Sequence, residues 1–138
     1  MFGALYVSMN RIFQDTYGNI DALKGRTISS LISVNDSEDV ILFWFGEKDT
    51  NVWWRAFIDG AYCGIDEYLN CEIEEDLDES LLKIDYSSKL NSGIIESVSV
   101  SNPMQKDGYI VLSLKLENQL FELVCKSNEG DCVLKFNV

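Results

Sequence analysis

The chain contains no histidine. That removes Ser–His and Cys–His nucleophilic arrangements and every histidine-ligated metal site together. Proton transfer would fall to carboxylates, Lys, Tyr or Cys. The densest group of such residues is "CEIEEDLDES", Cys71–Ser80, which holds six carboxylates and no base. Asp66 and Glu67 lie just upstream. A carboxylate pair in a cleft could do hydrolytic work, but nothing in the spacing locates such a pair. The run also departs from the calcium-loop pattern D-x-[DN]-x-[DN]-G-x₅-E, as do the acidic turns "NDSED" (Asn35–Asp39) and "GEKDTN" (Gly46–Asn51). Crowded like charge destabilises a fold by self-repulsion, and a basic partner would relieve it. We therefore expect Asp66, Glu67, Glu72, Glu74, Glu75, Asp76, Asp78 and Glu79 to form a docking patch for a cationic protein. The competing reading is a solvated acidic connection that blunts an edge strand.

The other reactive residue types point away from catalysis. Cys63, Cys71, Cys125 and Cys132 lack the C-x₂₋₄-C pairs of a structural zinc site and the C-x-x-C of a redox site. They are expected as free thiols, largely buried as small hydrophobes. "GNIDALKGRT" has neither phosphate-loop nor dinucleotide spacing, so no cofactor is expected. All three tryptophans fall within "WFGEKDTNVWW". Trp53 and Trp54 are adjacent, so on a strand they point to opposite faces. One is core, and the other is partly exposed or lies under a helix. An exposed aromatic is a candidate interface anchor, and Trp53, Trp54, Tyr62 and Tyr68 are the candidates.

These residues need a frame, and 138 residues at 46% hydrophobic are enough for one domain with its own core. Net charge is −12, with 23 acids against 11 bases. Such a field repels nucleic acid and anionic lipid and attracts basic partners. No stretch approaches the length of a membrane span. The N-terminus lacks the basic region of a signal peptide, so the expected compartment is the cytoplasm, where thiols stay reduced.

Period-two alternation in "YIVLSLKL" (Tyr109–Leu116) and "CVLKFNV" (Cys132–Val138) predicts half-buried antiparallel strands. It groups Ile110, Leu112, Leu114, Leu134 and Phe136 in one core. "VILFWF" (Val40–Phe45) has no polar member and reads as a central strand covered on both faces. Glu117-Asn118 suits a two-residue hairpin turn. Leu5, Met9, Ile12 and Phe13 share one helical face, with a strand through Leu5–Val7 as the alternative. Asp78 could cap a second short helix over "ESLLKI". The expected fold is α+β: mainly antiparallel sheet of six to eight strands, with one or two short helices.

A faint echo links two halves, 23–70 and 90–138. "LKGRTISSLISV" (Leu23–Val34) resembles "LNSGIIESVSVS" (Leu90–Ser101) in pattern, and an apolar run, a second strand and a Gly-containing turn follow each. Duplication and simple recurrence of strand–turn–strand units both produce such an echo.

A small acidic chain with few helices and no catalytic constellation is similar to the immunity proteins of bacterial polymorphic-toxin systems, including contact-dependent growth inhibition. The likeness spans the whole chain at the level of size, charge and pattern. It implies a non-enzymatic inhibitor that binds a basic, nuclease-type toxin C-terminal domain one to one. The middle third, "LKGRTISSLISVNDSEDVILFWF…DGAYCGIDEYL", also looks like small phage and bacterial domains of unknown function. That second likeness implies a β-rich accessory domain with no toxin partner.

Overall fold

A computed structural model describes residues 9–59, 62–69, 80–102, 109–126 and 131–137. Among them the chain forms eleven strands: β1 (Met9–Asp15), β2 (Gly18–Asn19), β3 (Ile28–Asp36), β4 (Asp39–Glu47), β5 (Trp53–Asp59), β6 (Tyr62–Tyr68), β7 (Leu82–Asp85), β8 (Ile95–Ser101), β9 (Tyr109–Leu116), β10 (Gln119–Lys126) and β11 (Asp131–Asn137). The only helical elements among these residues are two 3-10 turns, Asp21–Leu23 and Ser87–Lys89. Sheet A has the order β1-β6-β5-β4-β3-β7 and sheet B the order β11-β10-β9-β8-β2. All neighbouring strands are antiparallel.

The two sheets bury their facing sides in one core. Leu31, Phe43, Phe45, Trp54 and Ile65 come from sheet A, and Ile95, Val98, Ile110, Leu112, Leu114 and Phe121 from sheet B. β4 is central, as its apolar sequence predicts. Phe43 and Phe45 enter the core while Trp44 is fully enclosed on the opposite face. Cover on that face stops short of Ile41, which is 40% exposed. The Glu117-Asn118 turn closes on the Leu116–Gln119 pair, and Asn118 supplies the left-handed φ of 64° that the turn needs.

The sheets interlock by exchanging strands. β2 precedes β3 in the chain but pairs with β8, and β7 precedes β8 but pairs with β3. Each exchanged strand leads into a 3-10 turn that returns the chain to its own sheet. The hydrogen bonds at the crossing come in matched pairs. Ile20 N–H donates to Val98 O at 2.8 Å, and Tyr86 N–H donates to Leu31 O at 2.7 Å. Ile28 N–H donates to Gly93 O and Ile95 N–H to Arg26 O, both at 2.8 Å. Thr27 and Ile94, which hold corresponding places in the two halves, form an antiparallel bridge with each other. A pairing of corresponding residues is what a local two-fold axis produces. Even the register slip repeats, between Ile28 and Ser30 in one half and between Ile95 and Ser97 in the other. Gly93 is required here: its φ is +75°, and a Cβ would sit 2.1 Å from Ile28 O. On the β7 side, Ser87 N–H donates to Asp85 Oδ1 at 2.8 Å and Ser87 Oγ accepts Leu31 N–H at 3.0 Å. Hydrogen bonding to Ser87 lowers the Asp85 pKa, with a smaller contribution from Lys83.

Three expectations are corrected. The helical face over Met9, Ile12 and Phe13 is instead β1, because pairing with β6 satisfies that backbone; Leu5 lies outside the described residues. The helix expected over "ESLLKI" is instead β7 from Leu82 onward, drawn into sheet A by β3; Asp78 lies outside the described residues. The four thiols are not all free, and Cys71 lies outside the described residues. Cys125 and Cys132 stand directly opposite on β10 and β11, with Cα atoms 4.1 Å apart, and form a disulfide. Sequence spacing hid this bond, because it depends on strand register. Cys63 does remain a free thiol, fully buried, and burial pushes its pKa up to about 12.

Depth of burial separates two residues that alternation had grouped. Leu112 is 1% exposed, whereas Phe136 is 37% exposed at the rim and stacks on Phe121 at 5.5 Å. Leu112→Ala is expected to cost about 2–5 kcal/mol. Phe136→Ala should cost roughly 1–2 kcal/mol, the share left to a half-exposed stacked ring. Denaturant unfolding of both variants checks the order, and equal losses would contradict this assignment of depth.

Candidate functional site

The outer face of sheet A, turned away from sheet B, carries the unusual chemistry. One row of directly opposed residues crosses all six strands: Arg11, Asp66, Arg55, Trp44, Ile32 and Asp85. Strand pairing puts Asp66 between two guanidinium groups. Arg11 Nε donates to Asp66 Oδ1, and Arg55 Nη2 donates to Asp66 Oδ2 at 3.3 Å. Asp66 is completely buried, so the two arginines replace the water it has lost. Arg11 also donates to Gln14 Oε1 at 2.8 Å and lies over the Phe57 ring at 5.1 Å.

Aromatic rings continue the site. The Arg55 guanidinium sits 5.6 Å from the Trp44 ring centre and 5.0 Å from that of Tyr68. Cation–π attraction therefore fixes Arg55 from the side not used by Asp66. Trp44 contacts Tyr68 at 5.3 Å and Trp53 edge-on at 6.3 Å. Trp53 lies across Gly46, its directly opposed neighbour, with ring atoms 3.0 Å from where a Cβ would stand. Ile32, Val34, Leu42 and Leu81 complete this second apolar cluster. Among the described residues none accepts a hydrogen bond from Trp44 Nε1, although that atom is buried.

The corresponding row of sheet B is Lys135, Glu122, Ser113, Ser99 and Asn19. The frame is the same, but no aromatic residue or paired arginine occupies it. The charged and aromatic row thus belongs to sheet A; on sheet B the neighbouring row of the outer face is apolar, with Val133, Val124 and Val111 directly opposed.

The residues predicted from sequence fall into three groups. Trp54 is core; it donates Nε1 to the half-buried Glu67 at 3.1 Å and lies under Arg26 at 5.8 Å. Arg26 in turn is paired with Glu47 at 2.8 Å, a contact that raises its pKa. Asp66 and Tyr68 are buried in the row just described. Trp53 is half-buried on the same face, and Tyr62, at 53%, is exposed. The structure therefore gives Asp66, Trp54 and Tyr68 contacts within the chain and leaves Tyr62 open to a partner. Glu72, Glu74, Glu75, Asp76, Asp78 and Glu79 lie outside the described residues. Arg11, Arg55 and Trp44 were missed, because only the long-range pairing of β1, β6, β5 and β4 brings them beside Asp66.

No group of three or more Cys, Asp or Glu among the described residues is placed to hold a metal ion. An open hollow of about 710 Å³ lies where β2 meets β8, lined by residues 16–19 and 99–102; among these described residues the one ionisable side chain is the Tyr17 phenol. No described helix is long and apolar enough to cross a membrane. No family model, curated protein sequence or solved structure matches the chain.

Removing the Asp66 charge should leave the mostly buried Arg55 and the 37% exposed Arg11 without the buried carboxylate they share. Asp66→Asn is expected to cost about 3–5 kcal/mol in denaturant unfolding. Glu96→Gln, at the exposed Lys115–Glu96 pair, should cost less than about 1 kcal/mol. A comparably small loss at Asp66 would mean that water reaches its carboxylate.

Proposed function

We propose that this protein is a binding protein that neutralises a basic, nuclease-type toxin domain by one-to-one association, as an immunity protein does. The observation that carries this reading is the distribution of charge. Among the described residues Arg11, Arg55, Arg26 and Lys115 are paired with acids within the fold. The acidic run between Cys71 and Ser80 has no base of its own and joins β6 to β7, which lie on either side of β5, β4 and β3 in sheet A. A cationic domain approaching this connection meets a concentrated negative field, which speeds encounter without fixing affinity.

Affinity then requires desolvated anchors, and on sheet A exposed Tyr62 and half-buried Trp53 are aromatic groups that a partner could cover; Tyr17, beside β2, is more exposed still. The reading places the protein in the cytoplasm, where a nuclease would act. The Cys125–Cys132 bond weighs against that compartment, since such bonds persist in oxidising ones. Alkylation in intact cells before lysis would report which state the pair holds there.

The test uses Glu72, Glu74, Glu75 and Asp76 changed together to amides. The isolated protein should keep its stability or gain slightly as like-charge repulsion falls. Association with a basic partner captured from native lysate should slow about tenfold at low ionic strength, with a flatter salt dependence. Unchanged rates with that partner would reduce the run to a solvated connection and favour an accessory domain without a toxin.

A further inference from the structure

We infer that the outer edge of β11 is a self-association edge, and that a second copy of this chain adds its own β11 there, antiparallel. The inference starts from an asymmetry in the fold. β6 and β11 hold corresponding places, each the last strand of a four-strand meander. β6 is covered on its far side by β1, but β11 has no strand beyond it among the described residues. No described strand takes up the backbone donors and acceptors along that edge, and an open edge strand is prone to pairing.

Register and charge select the occupant. The 4.1 Å Cα separation of Cys125 and Cys132 is that of a narrow pair, whose backbone groups point away from each other. Cys132, Leu134 and Phe136 therefore turn their N–H and C=O toward the open edge. An antiparallel partner strand can bond these residues only with residues of the same kind. Setting Val133 opposite Val133 of the second copy does this, because Cys132 then pairs with Leu134 in both directions. The same register sets Lys135 opposite Asp131, twice. Val133, which would meet itself at the centre, is 48% exposed in the single chain.

The fold supplies a precedent for that charge pattern. On sheet A, Asp66 is held between Arg55 on one neighbouring strand and Arg11 on the added strand. At the corresponding place on sheet B, Lys135 has Glu122 directly opposite on β10 and nothing on the open side among the described residues. The register above places position 131 of a second copy, an aspartate, on that open side, so the order of charges along the row is that of sheet A with every sign reversed. The Cys125–Cys132 bond holds β11 against β10 and keeps the edge in place to receive it.

Sedimentation equilibrium on the full chain over a wide concentration range tests the inference. A monomer–dimer equilibrium is expected. Asp131→Lys and Lys135→Asp, each alone, place like charges opposite each other twice and should weaken the dimer by about tenfold or more. An equimolar mixture of the two single variants should restore association as a heterodimer, because every facing pair is again opposite in sign. The double variant should self-associate like the parent chain. A constant monomer mass near 15.7 kDa at all concentrations would overturn the proposal. So would a dimer that both single variants leave unchanged.

Discussion

The seam where the two halves cross is the constraint on which the rest depends. Thr27 pairs with Ile94, and Ile28 and Ile95 each donate a backbone hydrogen bond into the other half. Without this seam, β2 could not reach β8 and β7 could not reach β3. Each half alone would expose the inner face of a single sheet, with Phe43, Phe45 and Trp54 on one side and Leu112, Leu114 and Phe121 on the other. Burying those faces against each other supplies the hydrophobic stabilisation. The exchanged strands decide that the two faces meet in one alignment. Gly93 marks how tight the crossing is, since its Cα hydrogen points straight at the Ile28 carbonyl.

On this shared frame the halves differ in chemistry. Where sheet A stacks Arg11, Asp66, Arg55 and Trp44 across four strands, sheet B sets a Lys–Glu pair beside two serines. Burying a carboxylate between two arginines is expensive unless both its oxygens are satisfied, and here they are. That arrangement specifies the position of β1 on β6 more than it adds stability. The enclosed aromatic layer of Trp44, Tyr68 and Trp53 then fixes Arg55 from its other side. A chemically distinct face results, and it includes β6, the strand that precedes the acidic run.

The β-rich class was legible because alternation in β9 and β11 is strict and "VILFWF" has no polar break. The Glu117-Asn118 turn was legible because its chemistry is local. β1 was misread as helical because Met9, Ile12 and Phe13 fit a helical face, while its bulge between Arg11 and Phe13 breaks strict alternation. β7 was misread because four residues carry too little pattern to oppose a capping signal. The exchange of β2 and β7 left no local trace at all. The disulfide and the Arg11–Asp66–Arg55 triad were hidden for the same reason: both are products of register between distant strands. The repeat was visible only as an echo, since what it preserves is hydrogen-bond pattern rather than residue identity.

Native-state amide hydrogen exchange at Ile28 and Ile95 tests the seam most directly. If the crossing unites the two sheets, both amides open only with global unfolding. Their opening free energies should equal each other and equal those of Phe43 in sheet A and Leu112 in sheet B. Exchange of the Leu112 and Ile95 amides at a clearly lower free energy, with Phe43 still protected, would contradict the account. The sheets would then be two separable units that merely touch.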